Sequence, residues 1–597
     1  MGVLFSDEVR ADSEVGTGPK PTPASEIIFR IKTSLLQARR IFQNIFAGDI
    51  HQYSKGEMLR NETVIAESKS KLWSNNQGAE LKLEAGKVHN LRMALRRLNG
   101  VEIPAGRVFS FWSQVGLPVR WKGFARGREL REGCIIPSVG GGLCQLSNAL
   151  YDAALSAGFE ILERHAHSKV IPGSLAEVGR DATVFWNYVD LRFKSNNPFR
   201  IEILMTSDEL IVRLKSEKIR RTALPVRAAK LITPADDLQS CASCNVQSCF
   251  KHIERKKGAS GFEQSAYLVD EYWPELDEYI SDHKSDKDIL GLPINGKKFN
   301  KQNYAWSASG FQKVSESRLT TIIRAIESRN LSPQGAARQK ALLRNDERLA
   351  SSFAPLLGMD VTHVTVMQNL LPFLWNEGYL GGRTFDVLMT RLPLADLHKR
   401  LDRARQLHTE SETLADFRAA EWLVRAEGEA LKYARKIVTP HTEIAALFKE
   451  KAVVMDWLIP EAKREPIKGN KVLFPASTLG RKGAYEMREA ARALNLDLVL
   501  IGSQLEGTDF WRGVPISCRR FDERWLDEIG LVVLPAFIEH KPRRLLEAVA
   551  HKVPVIASTA CGLGNVAGVV NVPVGDAQSL FDEIQRWFLN AQEANAA

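Results

Sequence analysis

Residues 471–483 read KVLFPASTLGRKG, and residues 531–558 read LVVLPAFIEHKPRRLLEAVAHKVPVIAS. The first stretch opens on a short apolar strand, Lys471 to Ala476, and runs through a basic turn into a helix from Gly483 to Leu494. The spacing then predicts a strand at Leu496–Gly502 and a helix at Asp522–Ile529. The second stretch supplies a strand at Leu531–Phe537, a helix at Arg543–Lys552 and a strand at Val553–Ser558. Short apolar strands alternating with amphipathic helices specify a parallel sheet with crossover helices. The last third of the chain is therefore expected to be a Rossmann-type, doubly wound domain.

In such sheets ligands sit beyond the C-terminal ends of the strands. Two places there carry suitable chemistry. Gly480, Arg481 and Lys482 stand where a helix begins, and a helix N-terminus with two added cations suits a diphosphate. As the leaving group of a sugar transfer, that diphosphate is stabilised by fixed positive charge. Glu539 ends a strand and Glu547 lies in the next helix; a carboxylate accepts hydrogen bonds from neighbouring hydroxyls, as in a ribose diol.

Arg481-Lys482-Gly483, Glu539, Glu547 and Val553-Pro554-Val555-Ile556, in that order, resemble the retaining GT-B glycosyltransferases of the group-1 (family 4-like) class. The resemblance implies that Arg481 and Lys482 hold the donor diphosphate with Gly480 in their turn. It assigns Glu547 to the donor ribose and Glu539 to the transferred sugar, in a retaining, metal-independent transfer. One departure stands out. The class follows its first glutamate with Gly-Phe-Gly, whereas this chain has His540-Lys541-Pro542, and Pro542 has no N–H to offer.

An acceptor half should precede the donor half. Ala266–Val269 reads as its first strand, followed by Asp270-Glu271-Tyr272-Trp273-Pro274 in place of a glycine turn. Arg318–Arg329 and Leu414–Ala434 read as helices, and Lys436–Thr439 before Pro440-His441-Thr442 as the last strand and turn. His363, Arg383 and His441 are candidate acceptor-side groups, although a lone histidine is more often a packing residue.

Nearer the start, Gly140-Gly141-Gly142-Leu143-Cys144-Gln145-Leu146-Ser147 opens a helix with apolar residues at Leu146, Ala149, Leu150, Ala153 and Ala154. A thiol at a helix N-terminus has a lowered pKa and suits a nucleophile. His165, His167 and Asp181 follow, so a cysteine-hydrolase-like triad would form if they met in space. The plainer reading is a glycine turn packed beneath an inert cysteine. These residues resemble the VanW family, together with Pro104–Phe111, Arg164–Ser168, Gly179–Thr183 and Asp190–Phe193. That resemblance implies a cell-envelope association without a reaction.

Cys241-x2-Cys244-x4-Cys249-x2-His252 supplies three thiols and an imidazole at spacing suited to tetrahedral zinc, with an iron–sulfur cluster as the alternative. Residues 25–49 read as an amphipathic helix, with Ile28, Ile31, Leu35, Ala38, Phe42 and Ile45 on one face; it would lie on a membrane or pack on the next domain. No run of about 18 apolar residues and no signal-peptide core is present, so a cytoplasmic location is expected, with peripheral contact at the inner membrane face. A net charge of +10 over 597 residues, scattered rather than clustered, suits phosphate-bearing partners and argues against nucleic acid.

The reading is an α/β multidomain chain. It comprises a tail (1–24), the amphipathic helix (25–49), an α+β VanW-like domain (50–221), a Cys-rich connector (222–260), and a GT-B-like pair of Rossmann-type parallel-sheet domains (261–455 and 456–597). The expected activity is transfer of a sugar from a nucleotide-diphosphate-sugar donor to a glycan or lipid-linked envelope precursor. A non-catalytic nucleotide-sugar-binding scaffold and a cysteine hydrolase or amidase acting through Cys144 remain as alternatives.

Overall fold

A computed structural model of the chain describes residues 23–48, 50–74, 79–131, 134–167, 174–217, 239–240, 263–331, 335–415, 418–462 and 464–596. The Cys241, Cys244, Cys249 and His252 cluster lies outside the described residues. Among the described residues no group of three or more His, Cys, Asp or Glu is placed to hold a metal ion. No described helix is long and apolar enough to cross a membrane.

The chain divides into two compact units, residues 1–203 with 210–259 and residues 204–209 with 260–597. The first is α+β. One sheet has the order Thr63–Lys71, Glu209–Ser216, Phe199–Met205, Glu102–Ile103, and another the order Val108–Ser110, Arg192–Lys194, Glu160–Glu163 with antiparallel pairing. Phe109, Phe193, Phe199 and Phe159 stack in the core, with ring centroids 4.6 Å apart for Phe109–Phe193 and 4.7 Å for Phe159–Phe199. The Cys144–Ser156 helix buries Leu146, Ala149, Leu150, Ala153 and Ala154, the apolar face read from the sequence. Of the segment 182–193, only its end joins a strand, Arg192–Lys194. Upstream of it the backbone is held by side chains instead. Asn148 Oδ1 accepts the Ala182 N–H at 2.7 Å, and the Ser147 hydroxyl donates to Ala182 O at 2.5 Å.

The helix Pro23–Ala47 presents its polar side to this unit. Gln37 donates to the Trp186 carbonyl at 2.5 Å, Arg40 pairs with Glu163, and Asn44 accepts from Arg192 at 2.8 Å. Its apolar residues Ile28, Ile31, Leu35, Phe42 and Ile45 are all more than half exposed.

The second unit holds two wholly parallel sheets. Numbered by their order in the chain, the seven strands of the first run 3-2-1-4-5-6-7 and the six of the second 3-2-1-4-5-6, the dinucleotide-fold order with its reversal between strands 1 and 4. The paired Rossmann-type halves expected from the sequence are present. Nearly every central strand residue is buried, as helices on both faces require. A continuous apolar cluster joins Trp273, Trp306 and Trp457 to the core of the second sheet.

Three local expectations differ. Asp522–Ile529 is a succession of turns rather than a helix, because the Arg519 guanidinium takes the carbonyls of Arg524, Trp525 and Asp527 that a helix would use internally. Leu414–Ala434 is not one helix but a short turn of 3₁₀ at Thr413–Ala415 and an α-helix at Glu421–Tyr433. Lys436–Thr439 is followed by a further edge strand, Ala452–Val454.

Candidate functional site

In each half of the second unit the strand order reverses beside strand 1, and the loops leaving strands 1 and 4 carry the polar side chains. In the C-terminal half these strands are Lys471–Phe474 and Ile529–Leu534. Gly480–Lys482 forms a single 3₁₀ turn, and Gly483, at φ +76°, turns the chain into the helix Ala484–Ala493. A Cβ at Gly483 would lie 2.1 Å from Pro535 O, so the two loops touch backbone to backbone. The Phe537 and Ile538 N–H groups both donate to Arg481 O at 3.0 Å.

This contact brings Lys482 to Glu539. Lys482 Nζ lies 2.7 Å from Glu539 Oε2 and donates to Ile538 O at 3.2 Å. Glu539 also accepts the Lys541 N–H at 3.0 Å. Burial works against its charge, but Lys482, the Lys541 N–H and Arg481 together hold the carboxyl below its usual range. Glu547 is half-buried and accepts from Trp525 Nε1 at 3.4 Å. The Gly480 N–H is taken by Glu506 Oε1 at 2.6 Å, a carboxylate that also accepts from Ser411 and Tyr485.

The facing loops of the N-terminal half carry a buried network that no motif announced. Asp270, just past Gln264–Leu268, accepts from Arg324 at 2.5 Å and from Asn369 at 2.8 Å; Asp346 accepts from Asn369 at 3.0 Å. Burial, reinforced by the Asp270 carboxylate, pushes Asp346 well above the usual carboxylate range.

The two halves meet through these loops. Arg543 pairs with Glu275 through two 2.6 Å hydrogen bonds, and Lys541 with Glu271 at 2.7 Å. His441 Nε2 reaches the carbonyls of Glu539 and Ala560 at 3.1 and 3.2 Å, while its Nδ1 accepts the Ile444 N–H, so the ring is a buried neutral cap. His540 accepts the Leu392 N–H at 3.3 Å. Burial depresses its pKa, and His441, Lys482 and Arg391 nearby add to the effect. Beside this seam a cleft of about 270 Å³ is lined by Leu392, Asp396, Lys399, Arg400, Arg403, Glu443 and Leu447.

Two acceptor-side expectations are corrected. Arg383 is a buried structural group that donates to four backbone carbonyls, those of Val361, Tyr379, Leu357 and Gly358. His363 lies near the start of its strand with Thr384, Asp386 and Arg435, at the opposite end of the sheet from the loops that leave strands 1 and 4.

In the first unit Asp181 is fully buried, and it receives the Arg164 guanidinium at 2.5 Å, the His167 N–H at 2.7 Å and His167 Nδ1 at 2.9 Å. The Cys144 thiol is near enough to the imidazole to bear on its charge, and its own hydrogen bond goes to Val184 O, two residues beyond Ala182. Burial opposes charge on His167, but Asp181 and Cys144 together raise its pKa to about 9. Cys144 is partly buried, with Sγ 3.7 Å from Val184 O. His165 is not part of the group; it is exposed and faces Glu163 at 3.3 Å. The glycines set this corner. Gly140 and Gly142 have φ of +81° and +97°, and a Cβ at Gly141 would lie 2.5 Å from Gly127 O.

This corner falls within the stretch that matches the family model described as VanW like protein, residues 86–215. Those residues form a VanW-like domain. Over 151 residues it is 30% identical to the vancomycin B-type resistance protein VanW of Enterococcus faecalis, covering 24% of this chain and 54% of that one. It is 31% identical over 138 residues to the uncharacterized protein YoaR of Bacillus subtilis, covering 23% and 45%. The chain thus spans about half the length of the curated relatives it matches.

Among solved structures the chain is similar to the apo form of the lipopolysaccharide outer core galactosyltransferase WaaB, at 13% identity, covering 55% of this chain and 91% of that one with a TM-score of 0.32. It is also similar to sucrose-phosphate synthase from Thermosynechococcus elongatus, at 15% identity, 55% and 90% coverage and a TM-score of 0.34. The paired halves are defined by their own strand order. Within the VanW-like domain, Cys144, His167 and Asp181 come together from three separate motifs. Asp190, by contrast, is structural: it accepts from Ser110, Trp112 and Arg192 in the core.

Proposed function

We propose that the second unit is a GT-B glycosyltransferase that takes a nucleotide-diphosphate-sugar donor, with transfer by retention to a glycan or lipid-linked envelope acceptor. The observation that carries this reading is the Lys482–Glu539 pair at the strand reversal of the C-terminal half. A cation fixed at that point stabilises a departing diphosphate, and a carboxylate beside it accepts hydrogen bonds from sugar hydroxyls. Arg481 adds charge to the same turn, Gly480 belongs to it, and Glu547 is assigned to the ribose. Asp270 and Asp346 across the seam are assigned to the acceptor side, and the basic cleft at Lys399, Arg400 and Arg403 suits a phosphate-bearing acceptor. The exposed apolar face of Pro23–Ala47, flanked by Lys32 and Arg39, is assigned to the membrane surface where such an acceptor is embedded.

A second reading, donor binding without transfer, is favoured by the seam itself. His540 and Pro542 replace glycines at the sugar site, and His540 is committed to the Leu392 amide.

The deciding experiment is a thermal-shift screen of UDP-, GDP-, ADP- and dTDP-sugars, followed by assay of donor turnover. Ligand at a hundred times its dissociation constant adds about 2.7 kcal/mol. One donor is expected to shift the wild type and not Lys482→Ala. A shift without turnover selects the binding-only reading, and no shift for any donor overturns both.

A further inference from the structure

A separate chemistry is built into the VanW-like domain. Three groups distant in sequence are brought to one corner by identifiable contacts. Ser147 and Asn148, on the first turns of the Cys144 helix, clamp the backbone of Ala182. That clamp puts the Asp181 carboxylate under the chain carrying Arg164 and His167. Asp181 then holds His167 twice, by its backbone N–H and by Nδ1. The Cys144 thiol is held at the same segment by Val184 O, 3.7 Å away, and with Nδ1 taken Nε2 is the ring nitrogen free to serve a thiol. Cys144 itself begins its helix and is only partly buried, whereas Cys561 is wholly buried. A thiol kept only for packing needs no imidazole oriented by a buried carboxylate.

We propose that Cys144, His167 and Asp181 form a thiol acyl-transfer site acting on an amide- or ester-linked acyl group. Cys144 and His167 are its catalytic residues, and Asp181 is a positioning residue that fixes the ring and its tautomer. The Cys144 thiolate attacks the carbonyl carbon; the C–S bond forms as the carbonyl π pair moves onto oxygen. Collapse of that adduct breaks the C–N or C–O bond, and His167 Nε2–H passes its proton to the leaving amine or alcohol. Water then attacks the thioester while His167 accepts its proton. The C–S bond breaks, the acid departs, and that proton on His167 restores the thiolate–imidazolium pair. The positive end of the Cys144 helix favours both the thiolate and the carbonyl oxygen as it gains charge. This activity is independent of sugar transfer in the second unit.

The test uses the full chain, with adducts located by peptide-resolved mass spectrometry. Cys518, an exposed free thiol, is the internal reference. Brief iodoacetamide treatment near pH 6 is expected to label Cys144 at least about tenfold faster than Cys518, as thiolate stabilisation by a cation requires. His167→Gln should remove that advantage while Cys518 labelling stays unchanged. 4-Nitrophenyl acetate should give a burst of nitrophenolate and an acetyl adduct on Cys144, both absent in Cys144→Ser. Release from a peptide 4-nitroanilide as well marks an amidase; release from the ester alone marks an esterase-type site. Should His167→Gln fail to fold, the wild-type comparison of the two thiols still decides. Equal labelling of Cys144 and Cys518, or a burst that survives in Cys144→Ser, overturns the proposal.

Discussion

Lys482 and Glu539 face each other at 2.7 Å across the two loops that leave the reversal of the second parallel sheet, each side chain about one-seventh exposed. Removing one partner of so buried a pair leaves the other uncompensated, at a cost of about 3 kcal/mol. Lys482→Met should therefore lose both donor binding and stability. The double variant Lys482→Met, Glu539→Gln should regain most of the stability, measured by urea unfolding, yet bind no donor.

Arg383, placed by sequence among the acceptor groups, instead satisfies four buried carbonyls at 2.5 to 2.8 Å. Arg383→Met should destabilise the second unit by about 3 kcal/mol or more, since the carbonyls lose a charged donor inside the fold. Donor-induced thermal shifts, measured below the lowered melting point, should be retained.

The exposed face of Pro23–Ala47 makes the membrane assignment checkable. Wild-type protein should sediment with vesicles containing about one-third anionic lipid, and Leu35→Glu with Phe42→Glu should abolish this. Both side chains are more than 60% exposed, so the double variant should unfold at the wild-type midpoint. Equal sedimentation of both proteins would remove the assignment.

His167 gives the VanW-like domain a pH signature. The groups facing it are Asp181, Arg164 through Asp181, and Cys144. Its folded pKa of about 9 lies above the unfolded 6.5, so its stabilising contribution is full below about pH 6.5 and is lost as pH rises through about 9. The stability difference between wild type and His167→Gln should therefore shrink between those limits, as read by urea titrations of the two proteins side by side.

The parallel sheets were legible because their central strands are buried on both faces and so read as unbroken apolar runs. Edge strands were not. Ile516–Cys518 is exposed at every residue, and Ala452–Val454 is only partly buried, so neither carries a pattern. The Cys144 corner was legible from three motifs, but the choice of histidine was not. His165 and His167 are two residues apart and fall on the same side of an extended segment; only the placement of Glu163 and Asp181 separates them. Asp270, Arg324, Asp346 and Asn369 come from four elements with no fixed spacing and so form no motif, although Asp270 stands at the strand end where a glycine turn is expected.

Glu275 accepts three hydrogen bonds, two from Arg543 and one from the Leu458 amide at 3.0 Å. Leu458 belongs to the chain that crosses from one half to the other, so one of the fasteners between the halves and the chain that links them share a single carboxylate. Parting the halves at Arg543 would strip the same carboxylate that anchors the linking chain, so the region around Glu275 should be the last part of the seam to open. Distance probes far from that carboxylate would report the motion, whereas probes beside it would stay still.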